Sequence, residues 1–164
     1  LLETAELNGT RLPAMRTVSV TGEKLTTALA RRWFAQFPAI PLVNAYGPTE
    51  ASDDVTLHVL RGMPDAQQIP VGRPIRNVTI YILDERQQPC PIGVKGEICV
   101  SGLAVGRGYL HDAERTRLAF GEDRLAGRPG VRLYRTGDIG RWLPDGTIEY
   151  AGRLDDQIKL HGYR

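Results

Sequence analysis

Cysteine is scarce in this chain. The 164 residues hold two, Cys90 and Cys99, and neither has metal-ligand partners at suitable spacing. The composition does not point to a zinc module, and the pair is expected as reduced thiols of a cytoplasmic protein, one in a loop and one in a strand. Histidine is almost as sparse, and His58, His111 and His161 are too scattered for a metal centre or a catalytic triad. Charge of one sign is missing too: 21 Lys and Arg balance 19 Asp and Glu, for a net charge of +2. So small an excess gives no reason to expect a nucleic-acid or membrane partner. No apolar run reaches the roughly 18 residues of a membrane-spanning helix. No basic flank leads into an apolar stretch with a cleavage site, so no signal peptide is expected. Internal repeats and low-complexity segments are likewise missing. Leu1 is not a start methionine and Arg164 falls inside a strand-like run, so the chain is expected to be a piece of a longer one.

What is present suffices for one well-packed core, with 41% hydrophobic residues. Residues 15–21 are rich in β-branched side chains and end at Gly22, as a strand running into a turn would. Over residues 23–37 the period changes. Leu25, Leu29, Trp33 and Phe37 recur at every fourth position, beside Ala30 and Phe34, which predicts an amphipathic helix stopped at Pro38. The apolar stretch 41–46 then reads as a buried strand. Strand, helix, strand predicts a right-handed βαβ crossover within a parallel sheet.

Beyond about residue 70 the character becomes antiparallel. Residues 78–83 alternate, 84–91 are turn-rich, and 96–101 form another strand. Pro144-Asp145-Gly146 separates two short strands as a hairpin turn, and 121–130 read as a polar surface loop. The expected fold class is α/β: a βαβ sheet portion over 1–70 and a small antiparallel β-barrel-like subdomain over 71–154.

Two phrases carry chemistry. Asn44-Ala45-Tyr46-Gly47-Pro48-Thr49-Glu50 sets an aromatic ring, a hydroxyl and a carboxylate at the mouth of an apolar strand. Tyr134-Arg135-Thr136-Gly137-Asp138, followed by Gly152-Arg153-Leu154-Asp155-Asp156, places a carboxylate and then a guanidinium on turns of glycine-rich β structure. A ring for a base, a carboxylate for a ribose diol and an acid for a metal are the parts of a nucleotide site.

These phrases resemble the core motifs of nonribosomal peptide synthetase adenylation domains, members of the adenylate-forming superfamily. Residues 44–50 look like the fifth motif. Gly96–Gly102 with Gly106-Arg107-Gly108-Tyr109-Leu110 is similar to the sixth, Tyr134 to Asp138 to the seventh, and 152–164 to the start of the eighth. Four motifs in order are a specific signal where one would be weak. The resemblance implies ATP and Mg²⁺ as cofactors. Tyr46 would stack on adenine with Asn44 near its edge, Gly47 would belong to the nucleotide site, Thr49 would approach the phosphates, and Glu50 would help hold Mg²⁺. Asp138 would take the ribose hydroxyls and Arg153 would reach ribose and phosphate. Gly22 and Glu23 are either a tight turn with an acid in the first helical turn or, by the resemblance, a loop along the adenine. The sixth motif is expected to be scaffold, its glycines shaping turns.

The resemblance also implies a hinge at Asp155, with residues 155–164 starting a small C-terminal domain. The family's phosphate loop would lie upstream and its catalytic lysine beyond Arg164, so no catalytic residue is expected in this stretch, which alone should be inactive; Lys159 is not that lysine. Implied partners are an amino-acid substrate, a peptidyl carrier domain bearing phosphopantetheine, and a condensation domain of the same synthetase. For the substrate pocket the resemblance points to Ser19, Thr21, Ala45, Asp53 and Asp54. Adjacent carboxylates suit a basic side chain such as that of 2,4-diaminobutyrate. Equally, Asp53 or Asp54 could cap a helix or face solvent. An acyl-CoA ligase of the same superfamily and a non-catalytic binding module remain alternative readings.

Overall fold

The computed structural model describes residues 2–8, 11–65 and 67–154. The expected hinge residue, Asp155, lies outside them. Helix α1 (Leu2–Asn8) precedes strand β1 (Val18–Val20), helix α2 (Thr27–Gln36) and strand β2 (Leu42–Tyr46). β1 and β2 pair in parallel, with Val18 opposite Leu42, as the strand-helix-strand reading anticipated. A short 3₁₀ turn (Thr49–Ala51) then leads into β3 (Thr56–Leu60) and β4 (Arg73–Pro74). These add antiparallel pairs, giving a first sheet of order β1-β2-β3-β4.

Helix α2 begins later than its apolar spacing suggested. Thr26 holds extended backbone angles, and its hydroxyl accepts from the Leu29 amide, so the cap fixes the start at Thr27. Leu29 is 40% exposed and lies off the core face, which is built by Ala30, Trp33 and Phe34. A four-residue step overshoots the helical turn, so a strict every-fourth series drifts around the helix. Trp33 donates its ring N–H to Ile40 O at 2.9 Å and meets Phe37 ring to ring at 4.7 Å. With Leu25, Leu42 and Leu60 they form a core between helices and first sheet.

The second half is antiparallel. Strands β5 (Val78–Leu83), β6 (Gly96–Gly102), β7 (Phe120–Glu122), β8 (Arg132–Trp142) and β9 (Ile148–Arg153) follow, with a short helix α3 (Ala113–Ala119) before β7. The order is β5-β6-β8, and β7 and β9 share the far edge of β8. Among the described residues β5 does not pair with that far edge, so the sheet is open. The expected hairpin at Pro144-Asp145-Gly146 closes as read, with the Leu143 amide donating to Thr147 O at 2.8 Å. The expected surface loop 121–130 starts instead inside β7, and Asp123 is buried.

The two sheets are stitched together. The Ile148 amide donates to Gly72 O and the Val71 amide to Ile148 O, both at 2.8 Å. A second core spans this seam, where Tyr46, Val55 and Val71 from the first half pack with Ile80, Ile98, Tyr134 and Ile148 from the second. The carboxyl end of β2 therefore opens onto the antiparallel sheet.

Candidate functional site

At that seam β8 departs from regular pairing. Between the pairs Glu97–Ile139 and Cys99–Arg135, β6 advances two residues and β8 four. Three residues, Thr136-Gly137-Asp138, thus stand opposite Ile98 alone and bow out as a bulge, a device that re-aims side chains. Gly137 sits there at φ 72°, a conformation that favours glycine. The Asp138 amide donates to Thr136 Oγ1 at 2.9 Å, and Thr136 Oγ1 donates to Ile98 O at 2.7 Å. Across the β8–β9 ladder Asp138 faces Arg153.

The bulge delivers Asp138, 4% exposed, to Tyr46. The Tyr46 hydroxyl donates to Asp138 Oδ2 at 2.6 Å, while Arg153 Nη1 donates to Oδ1 at 2.7 Å. The same Arg153 nitrogen reaches Thr136 O at 3.1 Å. Burial, then the Asp138 charge beside it, pushes the Tyr46 phenol well above its ordinary range, so the hydroxyl stays a donor. A carboxylate offers about four lone-pair positions, so Asp138 retains capacity for further donors.

Two clefts meet at this triad. One, of about 320 Å³, is lined by Gly22, Glu23, Asn44, Ala45, Tyr46, Gly47, Tyr150 and Arg153, among others. The other, about 290 Å³, is lined by Gly47, Tyr109, Tyr134, Asp138 and Arg153, among others. Gly47 and Arg153 border both. The amide nitrogen of Asn44 donates to Pro70 O at 2.8 Å, which fixes its plane at the mouth of the first cleft. Gly22 turns there at φ 86° with Glu23 exposed beside it. Gly47 is constrained by packing: a Cβ there would lie 1.5 Å from Asp53 O.

Thr49, exposed, opens the 3₁₀ turn, and Glu50, half-buried, follows it. Tyr109 donates its hydroxyl to Glu50 Oε1 at 2.8 Å. Arg115 lies over the Tyr109 ring, 4.3 Å from its centroid. Among the described residues no group of three or more His, Cys, Asp or Glu could hold a metal ion. A lone carboxylate does fit Mg²⁺ that arrives on phosphate oxygens, because that ion typically takes only one or two carboxylates.

The substrate-pocket candidates divide. Ala45 lines the first cleft, while Ser19, Thr21, Asp53 and Asp54 line neither. Thr21 and half-buried Asp54 meet, hydroxyl to carboxylate, at 2.8 Å. Asp53 is exposed, at φ 74° in the turn after the 3₁₀ segment.

Residue patterns did not signal Tyr150, Tyr109 or Glu97. Tyr150 lies 6.0 Å ring to ring from Tyr46 across the first cleft. Glu97 accepts from Arg135 at 2.8 Å and from the Gly137 amide at 3.1 Å. Both Tyr109 and Glu97 fall in the stretch read as scaffold. No local spacing could have shown a reach across strands.

The family model described as AMP-binding enzyme matches residues 1–110. Surfactin synthase subunit 3 of Bacillus subtilis (strain 168) is 44% identical over 93% of this chain, which spans 12% of that protein. Among solved structures, PA1221, an NRPS protein containing adenylation and PCP domains, matches with TM-score 0.86 and 35% identity, over 97% of this chain and 32% of that one. The Vibrio cholerae adenylation domain AlmE, in complex with glycyl-adenosine-5'-phosphate, matches with TM-score 0.83 and 31% identity, over 99% of this chain and 31% of that one. The chain belongs to the AMP-binding enzyme family and, within it, resembles the adenylation domains of nonribosomal peptide synthetases.

Proposed function

We propose that this chain is the nucleotide-binding segment of an amino-acid-activating adenylation domain. The whole enzyme would join an amino acid to ATP, with a substrate carboxylate oxygen attacking the α-phosphorus and pyrophosphate leaving. The acyl group of the resulting aminoacyl adenylate would then pass to a phosphopantetheine thiol on a carrier domain, releasing AMP. A condensation domain would use the thioester. The observation that carries this reading is the Tyr46–Asp138 hydrogen bond of 2.6 Å, which joins the fifth- and seventh-motif segments beside two clefts.

In this reading adenine lies in the first cleft against Tyr46, with Asn44 at its edge and the turn of Gly22 and Glu23 alongside. The ribose diol binds Asp138, and Arg153 serves ribose and phosphate with a charge that no accessible pH removes. Gly47 belongs to the nucleotide site, and Thr49 approaches the phosphates. Glu50 would hold Mg²⁺, which when bound would supply positive charge against the phosphates. The segment positions the nucleotide and offsets its charge; the reacting groups come from elsewhere in the enzyme.

The amino-acid pocket takes Ser19, Thr21, Ala45, Asp53 and Asp54 in this reading, with exposed Asp53 the weaker contributor because solvent screens its charge. Thr21 and Asp54 are held together by a 2.8 Å hydrogen bond, which supports Asp54 as the carboxylate for a basic side chain such as that of 2,4-diaminobutyrate. Residues 1–70 and 71–154 would be parts of the large domain, with the hinge at Asp155.

The test is exchange of labelled pyrophosphate into ATP by the whole protein carrying this chain. Exchange dependent on one amino acid and abolished by Asp138→Ala is expected. Activation of a carboxylic acid onto coenzyme A without amino-acid-dependent exchange would favour the acyl-CoA ligase, and no exchange at all the binding module.

A further inference from the structure

On the β9 side the bulge that presents Asp138 still follows the ladder, with Asp138 opposite Arg153, but on the β6 side regular pairing is interrupted. The bulge's backbone groups are met individually: the Asp138 amide by Thr136 Oγ1, Thr136 O by Arg153, and Gly137 O by the Leu154 amide at 2.8 Å. The Gly137 amide is met by a side chain from the neighbouring strand, Glu97 Oε1, at 3.1 Å. Glu97 is itself 7% exposed, and its other oxygen accepts both Nε and Nη2 of Arg135, at 2.9 and 2.8 Å. One carboxylate thus ties together the residue that enters the bulge and the amide at its apex.

That arrangement exceeds what a surface ion pair needs. An exposed pair contributes little, and Arg135 is 46% exposed. A buried carboxylate oxygen aimed at a backbone amide inside an irregular strand instead fixes the direction of the next residue. The next residue is Asp138. Losing the acceptor leaves a part-buried N–H unpaired, which the chain relieves by moving the bulge.

We propose that Glu97 is a positioning residue for ribose recognition, its carboxylate holding the Gly137 amide so that Asp138 stands in register with Tyr46 and Arg153. The proposal rests on the reading of Asp138 as the ribose contact and assigns a role within it to a strand otherwise read as scaffold.

The experiment uses the whole protein carrying this chain and compares kcat/KM for ATP with that for 2′-deoxy-ATP, together with the KM for the amino acid and Tm. Asp138→Asn is the comparator. Glu97→Ala is expected to lower the ATP to 2′-deoxy-ATP ratio roughly tenfold, toward that of Asp138→Asn, by loss of one well-directed hydrogen bond. The KM for the amino acid should stay unchanged. Glu97→Gln, which keeps an oxygen for the Gly137 amide, should recover most of the ratio. Should Glu97→Ala not fold, Glu97→Asp, with its carboxylate drawn back by one methylene, gives the same reading. A lowered Tm with an unaltered ratio in Glu97→Ala, or in Glu97→Asp where it is used instead, overturns the proposal. A ratio left unchanged by Asp138→Asn itself overturns the ribose reading, and the proposal falls with it.

Discussion

Tyr46 and Asp138 stand 92 positions apart in sequence and share a hydrogen bond of 2.6 Å. One closes β2 in the first sheet and the other rides a bulge in the antiparallel second sheet, so the contact exists only because the two sheets meet. Arg153 completes the arrangement from the neighbouring strand at 2.7 Å. Ring, carboxylate and guanidinium form one hydrogen-bonded unit between the clefts.

Removing the phenol hydroxyl separates its two roles. Tyr46→Phe keeps a ring for the base but withdraws one donor from the buried carboxylate. Urea unfolding should show a loss of about 1–3 kcal/mol, with the KM for ATP raised less by this change than by Tyr46→Ala. Equal KM values for the two variants would mean that the ring contributes no base contact.

Withdrawing the guanidinium should do more damage. Side-chain exposures of 15% for Arg153 and 6% for Asp138 make this a largely buried pair. Breaking such a pair from one side typically costs about 3–5 kcal/mol. Arg153→Ala should therefore destabilise more than Arg153→Ala combined with Asp138→Asn. Chemical denaturation of both variants checks the order.

Cys99 predicts a pH dependence. Burial, and secondly the Glu97 charge, pushes its thiol up to about 12 from an ordinary value of 9.0. Between those values the unfolded chain has released a proton that the folded chain still holds. The thiol's share of stability is whole below pH 9 and is lost as pH rises toward 12. Denaturation midpoints should fall less steeply above pH 9 in Cys99→Ala than in the parent. At neutral pH, alkylation should modify half-buried Cys90 well before Cys99.

Parallel β1 and β2, alternating β5 and the hairpin at Pro144-Asp145-Gly146 were legible because each has a local signature: a period, a run or a turn sequence. Helix α3 was not, because none of its seven residues is buried and it has no apolar stripe to read. β7 has only three residues, too few for any period. In the site, Tyr46, Asp138 and Arg153 stood out through their motifs. Glu97 and Tyr109 did not, since each acts on a residue far along the chain: Glu97 on Gly137 across a β6–β8 register that a bulge alters, and Tyr109 on Glu50 from the loop after β6. Gly47 was read by resemblance as a nucleotide contact, yet its most evident constraint is the Asp53 carbonyl at its back.

The paired aspartates should now separate experimentally. Asp54 engages Thr21, whereas Asp53 is exposed in a left-handed turn. In the whole protein, Asp54→Asn should lower the ratio of basic to neutral amino-acid activation at least tenfold, and Asp53→Asn should leave it within about twofold. Unchanged ratios in both would remove these aspartates from the pocket.

The most direct measurement is a crystal structure of the whole protein with a non-hydrolysable aminoacyl-adenylate analogue. Adenine against Tyr46 in the 320 Å³ cleft, with the ribose hydroxyls on Asp138, is the predicted result. A nucleotide bound away from Tyr46, Asp138 and Arg153, with their mutual hydrogen bonds undisturbed, would contradict it.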